Sequence, residues 1–215
     1  MSGLVTCPIN KESINRAGVK FIGHTEMLGY YSGVKDCVMM MSNRKMRCCL
    51  VTTHIPLKAV SANITKERVL KCIMITNQSL KTLFSIKRPL IKVCGLNPHA
   101  GEAGIIGSEE TEIEDAIQIA KGMDIEVEGP FPADTLFHKR GCDAYIAMYH
   151  DQGLIPVKTT DFRTTINTTL GLPYIRTSPG HGTGYDIAGR GIADPTSLIE
   201  AYRVAEGVAI NLKRA

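Results

Sequence analysis

The chain has 215 residues, of which 44% are hydrophobic and 21% charged, and it carries a net charge of +4. These values are typical of a globular domain, and the lack of an apolar run of roughly 20 residues or a signal-peptide pattern argues against a membrane protein. The seven cysteines include no CxxC pair, which argues against a disulfide scaffold and a cysteine zinc site and favours the cytoplasm. The absence of Trp and of a nucleic-acid-binding signature argues against a nucleic-acid partner.

The first half of the chain alternates short apolar runs with helical patterns. Residues 3–7 have the pattern of a buried strand with almost nothing before it, so we expect an N-terminal portion to precede this sequence. Residues 36–41 and 45–53 are apolar runs separated by a Ser-Asn turn, which predicts a hairpin. Thr65 is the predicted N-cap of a longer helix with apolar residues along one face.

A glycine-rich loop lies between a predicted strand and a predicted helix in the middle of the chain. Residues 90–94 form an apolar run typical of a buried strand, and His99 follows on the loop. Ser108 is the predicted N-cap of the next helix, which ends at Gly122. His99 is therefore expected at the carboxyl end of a strand, which is where ligands bind in open α/β sheets.

The second half continues the alternation of strands and helices. Residues 125–128, 144–149, 165–170 and 173–177 are predicted strands. Asp194, followed by a proline, is the predicted start of a long amphipathic C-terminal helix. This order of elements predicts an α/β fold.

Three histidines share one kind of position. Apolar runs end directly at His54 and at His150, as one does shortly before His99. A single histidine after a strand is usually an ordinary polar loop residue, but three equivalent positions form a pattern. If the strands are neighbours, or if two copies of the chain meet, the imidazoles are expected to converge on one divalent metal.

Several polar residues are candidates for binding an anion. Lys158 and Arg176 suit a phosphate or carboxylate, the Arg as a bidentate fork and the Lys as a point charge. Asn167 lies between them in sequence, and His24 and Thr25 are placed to donate to the same anion. Each cation alone is more often a surface residue, and Thr25 serves equally well as a helix cap.

Acidic residues and a second glycine-rich loop complete the candidates. Asp134 and Asp151 suit the role of general base or of a partner that orients a histidine, and Lys11 is a further polar candidate. The loop 180–191 holds closely spaced glycines, which allow backbone amides to approach a phosphate-bearing cofactor. It lacks the GxGxxG spacing, so a Rossmann nucleotide site is not predicted, and an ordinary surface loop is an equal alternative.

The motifs of the chain resemble a known enzyme family. The matching segments occur in order and cover nearly the whole chain: PINKESINRAG, GHTE, TTHIPL, GLNPHAGEAG, GPFPADTLF, AMYHDQGLIPVK, LGLPYIRTS and HGTGYDIAGRGIADP. They closely resemble the 4-hydroxythreonine-4-phosphate dehydrogenase family, the NAD-dependent enzymes of pyridoxal phosphate (vitamin B6) biosynthesis.

The resemblance implies a fold and a domain organisation. The fold is that of isocitrate and isopropylmalate dehydrogenases, a mixed sheet flanked by helices. Residues 1–193 would form a metal- and substrate-binding and dimerisation domain, with the adenosine-binding cofactor loop at 180–191. Residues 194–215 would form a C-terminal helix that packs on the N-terminal region found ahead of this segment in the family.

The resemblance also implies roles for particular residues. The divalent metal, which is zinc, cobalt, magnesium or manganese, would lie at a homodimer interface and take ligands from both subunits, namely His54, His99 and His150. The contacts to a small phosphorylated hydroxy-acid substrate would be His24, Thr25, Lys158, Asn167 and Arg176. The contacts to NAD or NADP would be His181, Gly182, Thr183, Asp186 and Ile187, and Asp134 is the predicted base.

The family reaction oxidises the C3 hydroxyl of 4-phosphooxy-L-threonine to a ketone, and loss of carbon dioxide then gives 3-amino-2-oxopropyl phosphate. Gly180 stands where an aspartate is usual in the family, and Gly184 where an alanine is usual. These departures leave open a dehydrogenase of 4-phospho-D-threonate or erythronate. The N-terminal region expected ahead of this segment leaves open a truncated, non-catalytic dimer that binds a metal or an anion. A three-histidine zinc hydrolase is disfavoured because no HExxH helix or nucleophile elbow is present.

Overall fold

A computed structural model describes residues 3–21, 23–139 and 141–214. The strands are β1 (Gly3–Val5), β2 (Val38–Ser42), β3 (Arg47–Leu50), β4 (Ile91–Cys94), β5 (Val127–Phe131), β6 (Ala144–Ala147), β7 (Ile166–Leu170) and β8 (Ile175–Pro179). The helices are α1 (Lys11–Arg16), α2 (His24–Tyr31), α3 (Lys66–Thr82), α4 (Glu110–Gly122), α5 (Ala133–Leu136), α6 (His150–Thr160) and α7 (Thr196–Arg214). The predicted α/β class is confirmed.

All of these strands belong to one mixed sheet, in the order β1-β8-β7-β2-β3-β6-β4-β5. The half made of β3, β6, β4 and β5 is parallel throughout. On the other side, β2 is antiparallel to both β3 and β7, and the β2–β3 pair is the hairpin predicted from the sequence. The carboxyl ends of β3, β6 and β4 therefore lie side by side at one edge of the sheet.

Both faces of the sheet are covered, which explains the continuous apolar character of its central strands. Met40 of β2 belongs to the core beneath α3 and α4, whereas Met39 and Met41 belong to the core beneath α6. Burying each such side chain contributes roughly 1.5–3 kcal/mol to folding. The sheet is thus a rigid support for the loops at its edges.

Two of the predicted helix starts are confirmed and one is wrong. The Thr65 side chain accepts a hydrogen bond from the backbone of Arg68, and Asp194 accepts one from the backbone N–H of Thr196. Ser108 does not cap α4, which begins at Glu110 after a residue without a side-chain cap bond. The reason is that the carboxylates at the start of α4 accept hydrogen bonds from the preceding loop, so the serine side chain does not serve as the cap of this helix.

The C-terminal helix α7 lies against β8 through Ala205 and Val208, which pack with Ile175. The division at residue 193 and the packing of this helix on a further region stay predictions. Within the three described ranges, no helix combines the length and the apolar character that crossing a bilayer requires.

Candidate metal and anion site

The three predicted histidines follow three adjacent parallel strands. His54 comes after β3, His150 opens α6 after β6, and His99 lies on the loop after β4. Because β6 pairs with β3 on one side and with β4 on the other, the three loops leave the same edge of the sheet. This confirms the strand arrangement on which the metal prediction depends.

Two of these histidines meet within one chain. The rings of His54 and His150 lie 5.7 Å apart between centroids. The Nδ1 atom of His150 lies 2.6 Å from Oδ1 of Asp151, which leaves Nε2 free to bind a ligand. Partial burial lowers the pKa of His54, as do the nearby charges of Lys11 and His150. The neutral imidazole that binds metals is therefore favoured at neutral pH.

The third histidine does not join this pair in a single chain. His99 is exposed and does not line the cavities next to His54 and His150. Across the described part of the chain, no group of three His, Cys, Asp or Glu side chains is close enough to hold a metal ion. Within the described ranges, one chain thus brings together the imidazoles of His54 and His150, and its own His99 lies elsewhere.

The backbone at His99 is unusual. Residues 99–103 all have positive φ, with values of 55° at His99, 52° at Ala100, 77° at Gly101, 46° at Glu102 and 56° at Ala103. Only one of the five is a glycine, and a left-handed conformation costs an ordinary L-residue roughly 1–2 kcal/mol. Such a turn persists only where its surroundings impose it.

An open cavity of about 370 Å³ lies over the face of β2, β7 and β8 and reaches the histidine pair. It brings together the residues that were predicted to contact substrate, two of the histidines predicted to bind the metal, and two residues of the predicted cofactor loop: His24, Thr25, Lys158, Asn167, Arg176, His54, His150, His181 and Gly182. Lys11 and Glu26 also line this cavity. Their convergence from separate elements could not be read from spacing alone.

Arg176 is the most informative side chain in the cavity, because only 3% of it is exposed. Its Nε and Nη2 atoms donate to Oγ1 of Thr6 at 3.2 and 2.7 Å, and Nη1 donates to Oγ1 of Thr169 at 3.2 Å. No carboxylate lies within ion-pair distance of it in the described ranges. Burial lowers its pKa to about 10, against the opposing charge of Glu26. The guanidinium is therefore charged at neutral pH and lacks a close anion.

Other polar groups around Arg176 also lack partners. The Oδ1 atom of Asn167 is buried without a hydrogen bond. Lys158 contacts the Phe162 ring, with Nζ 5.8 Å from the ring centroid, and forms no ion pair in the part of the chain that the structure describes. Burial lowers the pKa of His24, and the nearby Arg176 lowers it further. An unpaired buried charge is costly, so Arg176, with Lys158 in the same cavity, indicates a site for an anionic ligand, and the unpaired Oδ1 of Asn167 calls for a hydrogen-bond donor on that ligand.

A second cavity, of about 450 Å³, lies on the other side of the histidine pair. It is lined by His54, His150 and Asp151 and by apolar side chains that include Ile55, Leu57 and Tyr149. Leu57 is 73% exposed. The two imidazoles thus separate a cationic cavity from an apolar one.

The predicted cofactor loop begins at Gly180, which is tightly packed. Its N–H lies 3.0 Å from both the Thr165 carbonyl and Oγ of Ser197. A Cβ at this position would lie 2.6 Å from the Thr165 carbonyl oxygen, so the local backbone excludes a side chain. Beyond His181 and Gly182, the remaining predicted cofactor residues, Thr183, Asp186 and Ile187, lie further along an exposed loop outside the cavity lining.

Sequence reasoning missed residues that connect or support the site. Gln152 donates from Nε2 to the Gly95 carbonyl at 2.8 Å, and its Oε1 accepts from the N–H of Met148 at 2.7 Å. This side chain ties the end of β6 to the loop after β4. Thr6 was missed because a threonine after a strand is an unremarkable residue in sequence. Asp134 is exposed on α5 and does not line the cavity, so its role as a base stays a prediction.

Comparison with known proteins identifies the family to which the chain belongs. A family model described as pyridoxal phosphate biosynthetic protein PdxA matches residues 1–205. The chain is 51% identical over 211 residues to a 4-hydroxythreonine-4-phosphate dehydrogenase from Desulforapulum autotrophicum, covering 95% of this chain and 62% of the relative. It is 48% identical over 204 residues to the enzyme of that name from Sulfurihydrogenibium sp., covering 94% and 63%. The chain thus spans less than two thirds of these relatives.

Solved structures agree with the sequence comparison. A crystal structure of 4-hydroxythreonine-4-phosphate dehydrogenase from Klebsiella pneumoniae superposes with a TM-score of 0.87 at 38% identity, covering 97% of this chain and 65% of that one. An isocitrate dehydrogenase from Methylococcus capsulatus has a TM-score of 0.60 at 14% identity, which shows a shared fold alone. The prediction of an isocitrate dehydrogenase-like fold is confirmed.

Proposed function

This chain belongs to the PdxA family of pyridoxal phosphate biosynthetic proteins, and we propose that it acts as a dehydrogenase of 4-phosphooxy-L-threonine that depends on NAD and a divalent metal. The reaction oxidises the C3 hydroxyl and releases carbon dioxide, leaving 3-amino-2-oxopropyl phosphate. In this role the protein would act in the biosynthesis of vitamin B6.

The observation that carries this proposal is the buried, unpaired guanidinium of Arg176 in a cavity that ends at two paired histidines. A phosphate supplies the anion that Arg176 lacks, and Lys158 adds a second positive charge. The unsatisfied Oδ1 of Asn167 accepts a donor from the substrate. Anchoring the phosphate at these residues places the rest of a small substrate between them and the histidines.

The donor chemistry of the histidine pair fits a divalent metal. His54 is kept neutral by its surroundings, and His150 presents Nε2 because Asp151 engages Nδ1. His54 and His150 would hold the ion from one chain. A divalent metal supplies a Lewis acid that lowers the pKa of a bound hydroxyl, and zinc, cobalt, manganese and magnesium are all candidates.

We propose that the third ligand is His99 of a second copy, in a homodimer with a shared site. Support comes from the position of His99 outside the pair's own cavities and from the apolar character of the cavity beyond them. The loop that carries His99 exposes Ile105 by 82% and Ile106 by 45%. These exposed apolar side chains are suited to pack, in a homodimer, against the exposed Leu57 beside the apolar cavity of the second copy.

We propose that the loop 180–191 binds the adenosine part of NAD or NADP. His181 and Gly182 line the cavity, so the loop starts beside the substrate residues. Thr183, Asp186 and Ile187 extend away from it and would contact the remainder of the cofactor. The hydride acceptor is the nicotinamide, so the protein needs only to position it. The cysteines are all free thiols, which supports a reducing compartment such as the cytoplasm.

The proposal is tested by following NADH absorbance at 340 nm with 4-phosphooxy-L-threonine, NAD and each divalent metal in turn. Metal- and substrate-dependent NADH formation is expected. Turnover of 4-phospho-D-threonate or erythronate instead would identify the related sugar-acid dehydrogenase. Binding of cobalt and phosphate without turnover of any substrate would identify a non-catalytic binding dimer.

A further inference from the structure

Glu110, the first residue of α4, is a buried carboxylate with an unusual set of partners. It is only 5% exposed, and in the described ranges it forms no ion pair with a lysine, arginine or histidine. A buried carboxylate is retained only where hydrogen bonds replace its hydration. All of those bonds come from the loop that follows β4.

The carboxylate is bound by the backbone just before His99. Its Oε1 atom accepts from the N–H of Leu96 at 2.9 Å and from the N–H of Asn97 at 2.7 Å. Its Oε2 atom accepts from Nδ2 of Asn97 at 2.9 Å. Hydrogen bonds to an ionised acceptor are about twice as strong as neutral ones. Glu110 therefore fixes the two residues that lead into the left-handed turn.

The turn itself closes onto the same carboxylate. A Cβ at Gly101 would lie 2.6 Å from Oε2 of Glu110, so the middle of the turn touches the carboxylate directly. A Cβ at Gly95 would lie 3.3 Å from Oε1. The carboxylate thus contacts the beginning and the middle of the segment in which His99 has φ of 55°. This is the external support that a run of left-handed residues needs.

We propose that Glu110 is a positioning residue for the metal site: it imposes the left-handed turn of residues 99–103 and so sets the direction in which the His99 imidazole leaves the loop. The inference rests on the proposed function, in which His99 is a metal ligand supplied to a second copy. Glu110 acts through His99 and does not touch the metal or the substrate.

The test is a Co²⁺ titration of the full chain, followed by cobalt absorption and by equilibrium dialysis. Wild type is compared with Glu110→Ala, with Glu110→Gln, with His99→Ala and with Glu200→Ala. Glu200 is the matched control, since it is also buried, at 9% exposure, but bonds Arg44 and Arg203 away from the site. Binding of inorganic phosphate to the Arg176 cavity is measured on the same samples.

We expect Glu110→Ala to weaken cobalt binding by about 10- to 100-fold, the range found when a group that orients a metal ligand is removed. Phosphate binding should stay at the wild-type level, because Arg176 lies on β8 and its hydrogen bonds go to Thr6 and Thr169 rather than to this loop. Glu110→Gln keeps an oxygen for the two backbone N–H groups but faces Asn97 with an amide, so a smaller loss is expected. Glu200→Ala should lower thermal stability and leave cobalt affinity unchanged.

Each outcome has a defined meaning. Cobalt affinity that falls in His99→Ala but not in Glu110→Ala and Glu110→Gln overturns this inference and leaves the metal proposal standing. Wild-type protein that binds no cobalt, or His99→Ala that binds it normally, contradicts the metal proposal and this inference with it. If Glu110→Ala does not fold, Glu110→Gln decides, and wild-type cobalt affinity in that variant overturns the inference.

Discussion

The imidazole rings of His54 and His150 lie 5.7 Å apart between centroids, although they follow different strands of the sheet. The strands β3 and β6 are parallel neighbours, so the pairing is a direct consequence of sheet order. One side of the pair faces a cationic cavity and the other an apolar one. A metal bound by His54 and His150, as proposed, would lie next to the residues proposed to bind the substrate phosphate.

Arg176 should be the main determinant of anion affinity. Replacing it by Lys keeps the charge but removes the fork that bonds Thr6 and Thr169. A lysine would also offer the phosphate a point charge in place of the guanidinium fork. Each hydrogen bond between a charged group and its partner contributes about 1.5–3 kcal/mol, so the loss of one to the phosphate should weaken the binding of inorganic phosphate about 10- to 100-fold. Isothermal titration calorimetry measures this.

The control for that experiment is Arg163→Lys, since Arg163 is 73% exposed in its ion pair with Asp194. Phosphate affinity should be unchanged in the control. Equal phosphate affinity in wild type and Arg176→Lys would show that the buried guanidinium does not bind the anion.

Gly180 should tolerate no side chain. A methyl group there would meet the Thr165 carbonyl at 2.6 Å, and overpacking of this kind costs about 1–3 kcal/mol. We expect Gly180→Ala to lower the free energy of unfolding in urea by that amount. Gly182→Ala is the control, because nothing lies within 4 Å of a Cβ at Gly182. Similar urea midpoints for the two variants would contradict the described path of the loop.

Glu200 should make the stability of the protein depend on pH in the acid range. Its hydrogen bonds with Arg44 and Arg203 hold its pKa below the ordinary value of a glutamate. A depressed pKa in the folded state gives stability that is present above the unfolded-state value, roughly pH 4.3, and is lost as the pH falls through the folded-state value.

We therefore expect Glu200→Gln to lower the free energy of unfolding at pH 7 and to flatten its decline below about pH 4.3. Urea unfolding curves at several pH values between 7 and 3 provide the measurement. A variant whose decline parallels that of wild type throughout this range would show that Glu200 does not contribute to acid sensitivity.

Asp134 is the predicted base, although it is exposed in a single chain. If it serves the site, Asp134→Asn should reduce turnover by about 10²- to 10⁴-fold, the usual contribution of general base catalysis. Cobalt and phosphate affinities should stay at wild-type values. Undiminished turnover in this variant would assign the proton transfer to another residue, and Lys11 in the cavity wall is then the next to test.

The sequence predicted the features that depend on local patterns. Apolar runs located the strands before His54, His99 and His150, and Thr65 and Asp194 marked two helix starts. The histidine loops lie together because the parallel strands are in the order β3-β6-β4, and this order cannot be predicted from local sequence patterns.

Other features depend on contacts between distant segments. Ser108 has the chemistry of a cap, but Glu110 turns back to bind Leu96 and Asn97, so α4 starts later. The left-handed turn includes residues such as His99 and Ala100 that do not prefer this conformation, and the contacts that the buried carboxylate makes with this loop come from a distant part of the sequence. In the sequence Arg176 cannot be distinguished from a surface cation, and its burial depends on the complete fold.

Subunit mixing tests the central claim most directly, namely that His54 and His150 of one chain share a metal with His99 of another. His54→Ala and His99→Ala are each expected to lose high-affinity Co²⁺ binding while remaining folded. When the two variants are unfolded together and refolded, half of the dimers combine both chains and hold one intact site, so roughly a quarter of the wild-type cobalt sites should return. No recovery of cobalt binding from a mixture that does form mixed dimers would contradict the shared site.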